Sequence, residues 1–256
     1  MCADVIDRDY EELVSTVATA CRVLGHRGLV DGVLGHVSAR VGDGSYVIRC
    51  RSSRERGVGL TDLADIRRID TAGHLVDGDG AWSAPMETPI HTALLNKRPE
   101  VGAVIHAHPR AALLCGLAGV TARPVFGAYN IPAMRMALQG IPVYPRSVLI
   151  ARQDLAEEML DAMGDSLVCL LRGHGITVAG PSVEAATVAA VNLNELLTVT
   201  VELARLGVVP PDLSAADLNE LPDLGSAFND GLAWRALVAE LEAAGRGVPG
   251  AVWDQY

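Results

Sequence analysis

Three histidines in the chain have types and positions that could hold a metal ion. His106 and His108 flank one alanine at the end of a run of apolar residues that is typical of a buried strand. Side chains two positions apart on a strand point to the same side, so the two imidazoles are expected to lie close together. His174, flanked by two glycines, follows a second apolar run. Three such imidazoles suit Zn²⁺, Fe²⁺, Mn²⁺ or Co²⁺, and an open fourth position would make the ion catalytic.

Each of these features also has an interpretation without a metal. Two histidines that flank one residue on a strand are as compatible with a hydrogen-bonded pair as with two ligands. Glu87 and His91 stand four positions apart at the start of a predicted helix and therefore share one face of it. A glutamate in this position often serves only as a charge that the helix dipole favours. The combination of the acid with three histidines is what favours a metal site.

The elements that must position these residues are predicted from apolar spacing and from Gly and Pro. Apolar residues at three- and four-residue steps predict helices at residues 9–28, 88–97, 109–117, 154–163, 183–206 and 232–244. Short apolar runs predict strands within residues 28–41, 45–50, 101–107 and 167–171. Residues 124–150 are rich in Pro and Gly, which predicts short strands and loops. The buried strands, taken alone, suggest a parallel sheet.

Length, charge and cysteine content restrict the class of protein. A chain of 256 residues, half of them hydrophobic, can bury one sizeable core, so a single α/β domain is expected. The net charge of −10 argues against binding of nucleic acid or anionic lipid and favours a small-molecule substrate. No apolar run is long enough for a membrane span, and the acidic N-terminus does not resemble a targeting signal. Five scattered cysteines without a CxxC pair suit the reducing cytoplasm.

Three segments together carry a resemblance to a known family. They read ETPIHTALLNKRPEVGAVIHAHP, LLRGHGITVAG and GHVSAR, and in order and spacing they resemble the class II aldolase/adducin superfamily from about Tyr10 to Leu206. That superfamily includes fuculose-phosphate and ribulose-phosphate aldolases and epimerases, together with decarboxylases of hydroxylated acids. The resemblance implies an α/β fold of three layers, α/β/α, with a central, mainly antiparallel sheet. This replaces the parallel sheet that buried strands alone suggest.

The resemblance also implies a site and an assembly. His106, His108 and His174 match the three metal ligands of the family. One divalent ion per subunit is expected, with Zn²⁺ favoured and Fe²⁺, Mn²⁺ or Co²⁺ as alternatives. Glu87 matches the carboxylate that touches the resting metal and acts as acid or base. Family members are often homotetramers with active sites between subunits. One class II aldolase/adducin-like domain is expected over residues 1–256, with a C-terminal extension from about residue 207.

The sequence departs from the sugar-phosphate aldolases of the family where those enzymes bind phosphate. Their pocket uses an Asn in a GNxSxR turn, a Thr-Gly pair after the next strand and a Ser-Ser pair before the acidic residue. Here the corresponding positions read His36 in GHVSAR with Ser38 retained, CRSSRER at residues 50–56, and Pro-Met at residues 85–86. His36, Arg51 and Arg54 suit a carboxylate, since guanidinium binds it through two parallel hydrogen bonds. Alternatively, the arginines belong to a solvated loop.

The favoured function is that of a metal-dependent carbon–carbon lyase that decarboxylates a hydroxylated aromatic acid. A resemblance to the 3,4-dihydroxyphthalate decarboxylase branch of the superfamily is carried by RSSRERGVGLTDLADIRRID. For such a substrate the ion would engage the ring hydroxyl beside the departing carboxylate, which is Lewis-acid chemistry. Arg51 or His36 would hold the second carboxylate. Glu87 or His91 would donate a proton to the ring carbon.

Two other functions remain open. A sugar-phosphate aldolase or epimerase would need the altered pocket to bind its substrate differently. A non-catalytic adducin-like binding protein would have no reason to keep three ligands and the acid. Tyr129, in the sequence GAYNIP, is expected to reach a neighbouring subunit's site, as tyrosines of this region do in the aldolases, or else to be a packed aromatic. His74 lies in a polar turn and is expected to have no role.

Overall fold

A computed structural model of the chain describes residues 2–76 and 80–252, and for residues 2–8 it describes the backbone alone. The remaining residues of the predicted 1–256 domain lie outside this description. Nine strands are found in the described part: β1 (His36–Arg40), β2 (Tyr46–Arg49), β3 (Arg51–Ser52), β4 (Ile66–Ile69), β5 (Trp82–Ser83), β6 (Ala103–Ala107), β7 (Val143–Tyr144), β8 (Val168–Leu171) and β9 (Gly175–Gly180).

Seven of these strands form one sheet in the order β4-β2-β1-β6-β9-β8-β7, and β3 pairs with β5 separately. Neighbouring strands in the large sheet are antiparallel except for β7 and β8, which are parallel. The expectation of a mainly antiparallel central sheet is therefore confirmed. The parallel sheet suggested by the buried strands alone is wrong, because burial on both faces reflects the covering helices and not the strand direction.

Helices cover both faces of the sheet. Their bounds are α1 (Cys2–His26), α2 (Thr88–Lys97), α3 (Arg110–Ala118), α4 (Ile131–Gln139), α5 (Gln153–Met163), α6 (Val183–Arg205), α7 (Ala215–Asn219) and α8 (Ala233–Ala243). Short 3₁₀ turns at Val58–Leu60 and Leu63–Asp65 and a π-helical segment at Ala227–Leu232 complete the described elements. No helix in residues 2–76 or 80–252 is long and apolar enough to cross a membrane.

Alternation along β6 divides the interior into two apolar cores. Ala103, Ile105 and Ala107 contribute to the larger core, which contains buried residues of α1, α3, α4, α6 and α8. Val104 contributes to the smaller core, with buried residues of α2 and α5. Side chains of a strand alternate between faces, so His106 shares the side of Val104 and points toward α2. The sheet thus has helices on both sides, which confirms the predicted three-layer α/β/α fold.

The region of residues 124–150 contains a helix where short strands and loops were predicted. That prediction is wrong for α4, although β7 is a short strand as expected. The side chain of Asn130 accepts a hydrogen bond from the Ala133 amide at 3.0 Å, and a proline occupies the first helical turn. These are start signals of a helix, and Ala133 and Ala137 then bury its inner face. The Pro and Gly content obscured an N-cap that the residues themselves contain.

Replacement of the α4 cap tests this explanation. Because Asn130→Ala leaves the first-turn amide without its acceptor, we expect it to lower the free energy of unfolding by about 1 kcal/mol in urea denaturation. Asn130→Asp retains the accepting oxygen and serves as the matched control, with a smaller loss. Equal stability of Asn130→Ala and the wild type would show that the cap does not stabilise α4.

Candidate metal centre

One carboxylate and three imidazoles converge at one end of the sheet. The candidate ligand atoms of Glu87, His106, His108 and His174 all lie within 4.8 Å of one another. His106 belongs to β6, and His108 follows its end. Because β9 pairs antiparallel with β6, the turn before β9 brings His174 beside the end of β6. Glu87 directly precedes α2, and its side chain points into the cluster without a capping hydrogen bond to the first turn of the helix.

Close backbone packing presses the turn that carries His174 against β6. A Cβ atom on Gly175 would lie 2.2 Å from the carbonyl oxygen of Ala107 and 2.9 Å from the ring of His108. Only a glycine avoids this overlap, so the small residue after His174 is a requirement of the site's geometry. The two chain segments that carry the three histidines are held together by this contact and by the β6–β9 pairing.

The distances within the cluster match groups that face a common centre. The Nε2 atoms of His106 and His108 are 2.7 Å apart. Glu87 places Oε2 at 3.3 Å from Nε2 of His106 and Oε1 at 3.5 Å from Nε2 of His174. The ring of His174 lies 4.8 Å, between centroids, from those of His106 and His108. Each histidine therefore directs Nε2 toward the space beside the glutamate, as ligands of one ion do.

Backbone groups outside the cluster orient two of the four side chains. Nδ1 of His106 lies 3.0 Å from the carbonyl oxygen of Ile176 and donates its hydrogen to it, which leaves the Nε2 lone pair facing the centre. Oε1 of Glu87 accepts a hydrogen bond from the amide of Ile150 at 3.0 Å. Sequence reasoning missed these two contacts, because every residue has a carbonyl and nearly every residue has an amide, so no pattern marks them.

The charge states of His108 and Glu87 also suit a divalent cation. Burial, together with the neighbouring rings of His106 and His174, lowers the pKa of His108 to about 3, so its imidazole is neutral at neutral pH. Burial alone would raise the pKa of Glu87, but its hydrogen bonds with His106 and His174 outweigh that effect and lower the pKa below the usual range. Neutral imidazoles and an ionised carboxylate are the ligand forms that Zn²⁺ and related ions require.

A second group of polar side chains lies directly behind the cluster. His36 of β1 is the register partner of His106, and their ring centroids are 5.1 Å apart. Nδ1 of His36 lies 2.7 Å from Nε2 of His91, and Nδ1 of His91 lies 2.6 Å from the hydroxyl oxygen of Ser38. His91 and Ser38 have no exposed surface, and His36 retains 3%. Both ring nitrogens of His91 are thus hydrogen-bonded within the protein interior, whereas His36 lies next to the cluster of candidate metal ligands.

The arginines of the predicted carboxylate clamp differ in their surroundings. Arg51 is half-buried; it donates from Nη2 to the carbonyl oxygen of Val33 at 2.8 Å, and its buried Nε has no acceptor among the described residues. Because β2 pairs antiparallel with β1, the chain that follows β2 runs past the start of β1, where His36 lies. Arg54 is exposed, and within the described ranges its side chain has no ion pair or hydrogen bond. The strand pairing therefore places the segment of Arg51 near the end of the sheet that carries the cluster, with Arg51 half-buried and Arg54 exposed on it.

Arg67 is a further half-buried arginine that sequence reasoning did not single out. Its guanidinium lies 4.7 Å from the ring centroid of Trp82, and its buried Nε lacks an acceptor among the described residues. It pairs across the sheet with Ile48, on the same face as the smaller core. The signal in the sequence was two adjacent arginines in a strand with apolar residues on both sides, one of which must point inward.

Tyr129 lies apart from the cluster within one chain. Its hydroxyl donates to Oε1 of Glu195 on α6 at 2.5 Å, and its ring meets Phe126 with centroids 5.6 Å apart. Helix α6 belongs to the larger core, across the sheet from α2. The Tyr129 side chain remains 67% exposed, so it lies on the outer surface of the chain.

Comparison with known proteins identifies the family. The model of the Class II Aldolase and Adducin N-terminal domain matches residues 15–201. The chain belongs to this family. It is 48% identical to 3,4-dihydroxyphthalate decarboxylase of Arthrobacter keyseri over 89% of this chain and 93% of that protein. It is 42% identical to the protein of the same name from Rhodococcus jostii strain RHA1 over 91% of this chain and 97% of that one.

Solved structures share the fold of this class II aldolase family member at low sequence identity. An aldolase II superfamily protein from Pseudomonas syringae is 22% identical and superposes with a TM-score of 0.74, covering 93% of this chain and 94% of that one. L-fuculose 1-phosphate aldolase from Glaciozyma antarctica PI12 is 14% identical, with a TM-score of 0.75 and 93% of each chain covered. At such identities the likeness supports the fold alone.

Removal of single imidazoles tests the metal centre. Because each histidine would contribute one of three nitrogen ligands, we expect His106→Ala and His174→Ala to lose most of the divalent ion that the wild type retains through dialysis. Elemental analysis of the purified proteins measures this loss. His74→Ala is the matched control, since the His74 side chain is 80% exposed and its hydrogen-bond partner among the described residues is Asp70. Full metal content in both cluster variants would contradict the proposed ligand set.

Proposed function

We propose that this class II aldolase family member is a metal-dependent decarboxylase that converts 3,4-dihydroxyphthalate to 3,4-dihydroxybenzoate and CO₂. The observation that carries the proposal is the similarity, over most of both chains, to three proteins named 3,4-dihydroxyphthalate decarboxylase, at 48%, 46% and 42% identity. The cluster of Glu87, His106, His108 and His174 supports it, because this donor set can hold a Lewis-acidic ion beside a ring hydroxyl.

The reaction breaks the bond between a ring carbon and the carboxylate next to the 3-hydroxyl. The bonding electrons remain on the ring carbon, CO₂ departs, and a proton that ultimately comes from water replaces it. A bound divalent ion supplies Lewis acidity, which stabilises the electron pair left on the ring when CO₂ leaves. His106, His108 and His174 would hold the ion, with Glu87 as the fourth ligand of the resting site.

Glu87 is the group of this site that can move a proton. Its lowered pKa keeps the carboxylate ionised, so in the resting state it is a base rather than an acid. It can accept the hydroxyl proton of the substrate and return it to the ring carbon after CO₂ has left. The amide of Ile150 holds one carboxylate oxygen during both transfers. His91 has no exposed surface, so its contribution to the reaction must pass through His36.

The carboxylate that stays on the ring needs its own partners. Arg51 is suited to this role, since Nε and Nη1 have no acceptor among the described residues and guanidinium binds carboxylate through parallel hydrogen bonds. His36, beside the cluster, can contribute a further hydrogen bond, with Ser38 behind it. Arg54, exposed on the same segment, is the second arginine of the proposed clamp.

The ion, the assembly and the location complete the proposal. Zn²⁺ is the favoured metal because three imidazoles and one carboxylate are a typical zinc ligand set, with Fe²⁺, Mn²⁺ and Co²⁺ as alternatives. The proposed assembly is a homotetramer with sites between subunits, in which the exposed Tyr129 reaches the site of a neighbour. A single domain with an extension from about residue 207 is proposed. The buried free thiols of four cysteines support a cytoplasmic location.

The choice between decarboxylase and aldolase is tested by product analysis. We expect the metal-loaded protein to release CO₂ and 3,4-dihydroxybenzoate in equal amounts from 3,4-dihydroxyphthalate, because the departing carboxylate lies beside a ring hydroxyl. Chromatography and CO₂ trapping measure both products. Fuculose 1-phosphate and ribulose 5-phosphate, assayed for aldehyde or epimer, are the comparison substrates, and His106→Ala is the inactive control. Aldehyde release without CO₂ would favour the aldolase.

Substitution of Arg51 tests the carboxylate clamp. A hydrogen bond to a charged group contributes about 1.5–3 kcal/mol, so Arg51→Ala is expected to raise KM for 3,4-dihydroxyphthalate roughly 10- to 100-fold. A smaller change is expected in kcat, since the remaining carboxylate is bound both before and during the reaction. Arg56→Ala is the matched control, because exposed Arg56 pairs with Asp62 instead. An unchanged KM in Arg51→Ala would exclude this role.

A further inference from the structure

The hydrogen-bonded chain Ser38–His91–His36 ends beside the cluster of candidate metal ligands. We infer that Ser38 and His91 hold His36 in the tautomer with hydrogen on Nε2, so that His36 presents a hydrogen-bond donor to the substrate. His91 and Ser38 are then positioning residues, which act on the substrate only through His36. The tautomer of His36 does not depend on the proposed reaction. The contact of its N–H group with a substrate carboxylate rests on the proposed function.

The argument begins at the buried hydroxyl of Ser38. Its oxygen has no exposed surface, and Nδ1 of His91, at 2.6 Å, is its hydrogen-bond partner within the described residues. If His91 donated to the serine, the hydroxyl hydrogen would be buried without an acceptor, which is unfavourable because its desolvation is not compensated. A rotating hydroxyl avoids this cost by donating to the Nδ1 lone pair. Ser38 therefore donates, and Nδ1 of His91 accepts.

The direction of the first hydrogen bond determines the second. His91 is fully buried and has no carboxylate within hydrogen-bonding distance among the described residues, so its ring is neutral and carries one hydrogen. With Nδ1 as the acceptor, that hydrogen lies on Nε2. Nε2 of His91 then donates to Nδ1 of His36 across 2.7 Å. Since Nδ1 of His36 accepts, a neutral His36 ring must carry its own hydrogen on Nε2.

Nε2 of His36 is the end of the chain that faces the site. It has no hydrogen-bond partner among the described residues, and His36 retains 3% of its surface exposed, whereas His91 and Ser38 retain none. The ring lies 5.1 Å, between centroids, from the candidate ligand His106. An oxygen of a substrate bound beside the ion can therefore reach this N–H group. A carboxylate is the matching chemistry, because it only accepts hydrogen bonds when ionised.

The opposite tautomer would reverse the selectivity of the site. A lone pair on Nε2 of His36 would face the negative oxygen and repel it, and only a hydroxyl or ammonium group could bind there. The buried hydroxyl of Ser38 thus fixes the tautomer of His36 through His91, and this tautomer favours an anionic group beside His36. The Asn that sugar-phosphate aldolases carry at the position of His36 can rotate its amide and offer either a donor or an acceptor, so it needs no such relay.

Solid-state ¹⁵N NMR of protein labelled only in histidine measures the tautomers directly. The seven histidines give few signals, and zinc-loaded protein is suitable because Zn²⁺ is diamagnetic. His36→Gln and His91→Gln assign the two rings by the loss of their signals. We expect both rings of the wild type to show a protonated Nε2 and an unprotonated Nδ1. A protonated Nδ1 on His36 would overturn the inference, whatever activity the protein has.

Ser38→Ala tests the origin of the tautomer. Removal of the donor should give His36 a mixture of both tautomers, whereas a loss of packing alone would leave the tautomer unchanged. Thr177→Val is the matched control: Thr177 is the register partner of His106 on the side away from His36, and its buried hydroxyl donates to the sulfur of Met159. Among the described residues this hydroxyl has no hydrogen bond to a histidine, so the wild-type tautomer should persist. A single Nε2-protonated form of His36 in Ser38→Ala would remove Ser38 from the relay. The wild-type measurement remains decisive if Ser38→Ala does not fold.

Titration with phthalate, an unreactive dicarboxylate, tests the donor itself. Binding should shift the Nε2 signal of His36, and Ser38→Ala should raise the dissociation constant roughly 3- to 10-fold, the effect of one ordinary hydrogen bond. Phthalate binding without any change at Nε2 would contradict the role of His36 as donor to the carboxylate. Failure of the decarboxylation assay would leave the tautomer and phthalate results intact, so the relay and the proposed reaction are tested separately.

Discussion

The antiparallel register of β6 against β1 and β9 is the constraint on which the site depends, because it decides which face of the sheet each histidine meets. His36, His106 and Thr177 are register partners, so all three point toward α2. A slip of one residue would turn His106 into the larger apolar core and direct Ile105 at the metal cluster. The pairing also carries His174 to the end of β6, where Gly175 permits the backbones to touch.

Burial around these residues controls the chemistry as much as their position does. The imidazole of His108, largely removed from water, resists protonation, which keeps its lone pair available for a cation. The same burial would lower the stability of the fold if polar atoms were left without hydrogen-bond partners. Most nitrogen and oxygen atoms of the His106, Glu87 and His91 side chains have such a partner. Ligand orientation, charge state and fold stability therefore depend on one set of hydrogen bonds.

The residues beside the candidate metal centre decide which substrate groups this end of the sheet can bind. In this chain the end of the sheet carries His36 and Arg51, and the buried Nε of Arg51 faces no acceptor among the described residues. Such groups are suited to a planar, ionised carboxylate, whereas the small hydroxyl and amide donors of a phosphate pocket are largely replaced. The likeness to L-fuculose 1-phosphate aldolase in fold, at 14% identity, shows how little the scaffold alone says about the reaction.

The sequence by itself determined the elements with strong local periodicity, the metal-ligand candidates and the family, because these depend on residue types at short or characteristic spacings. It misjudged α4, where Pro and Gly outweighed the cap at Asn130, and its buried strands could not reveal their direction. Only the tertiary structure decided that His91 lies behind His36, and that backbone groups of Ile176 and Ile150 orient the candidate ligands His106 and Glu87. These contacts join residues far apart in the chain, often through backbone atoms, and strand pairing rather than local sequence brings them together.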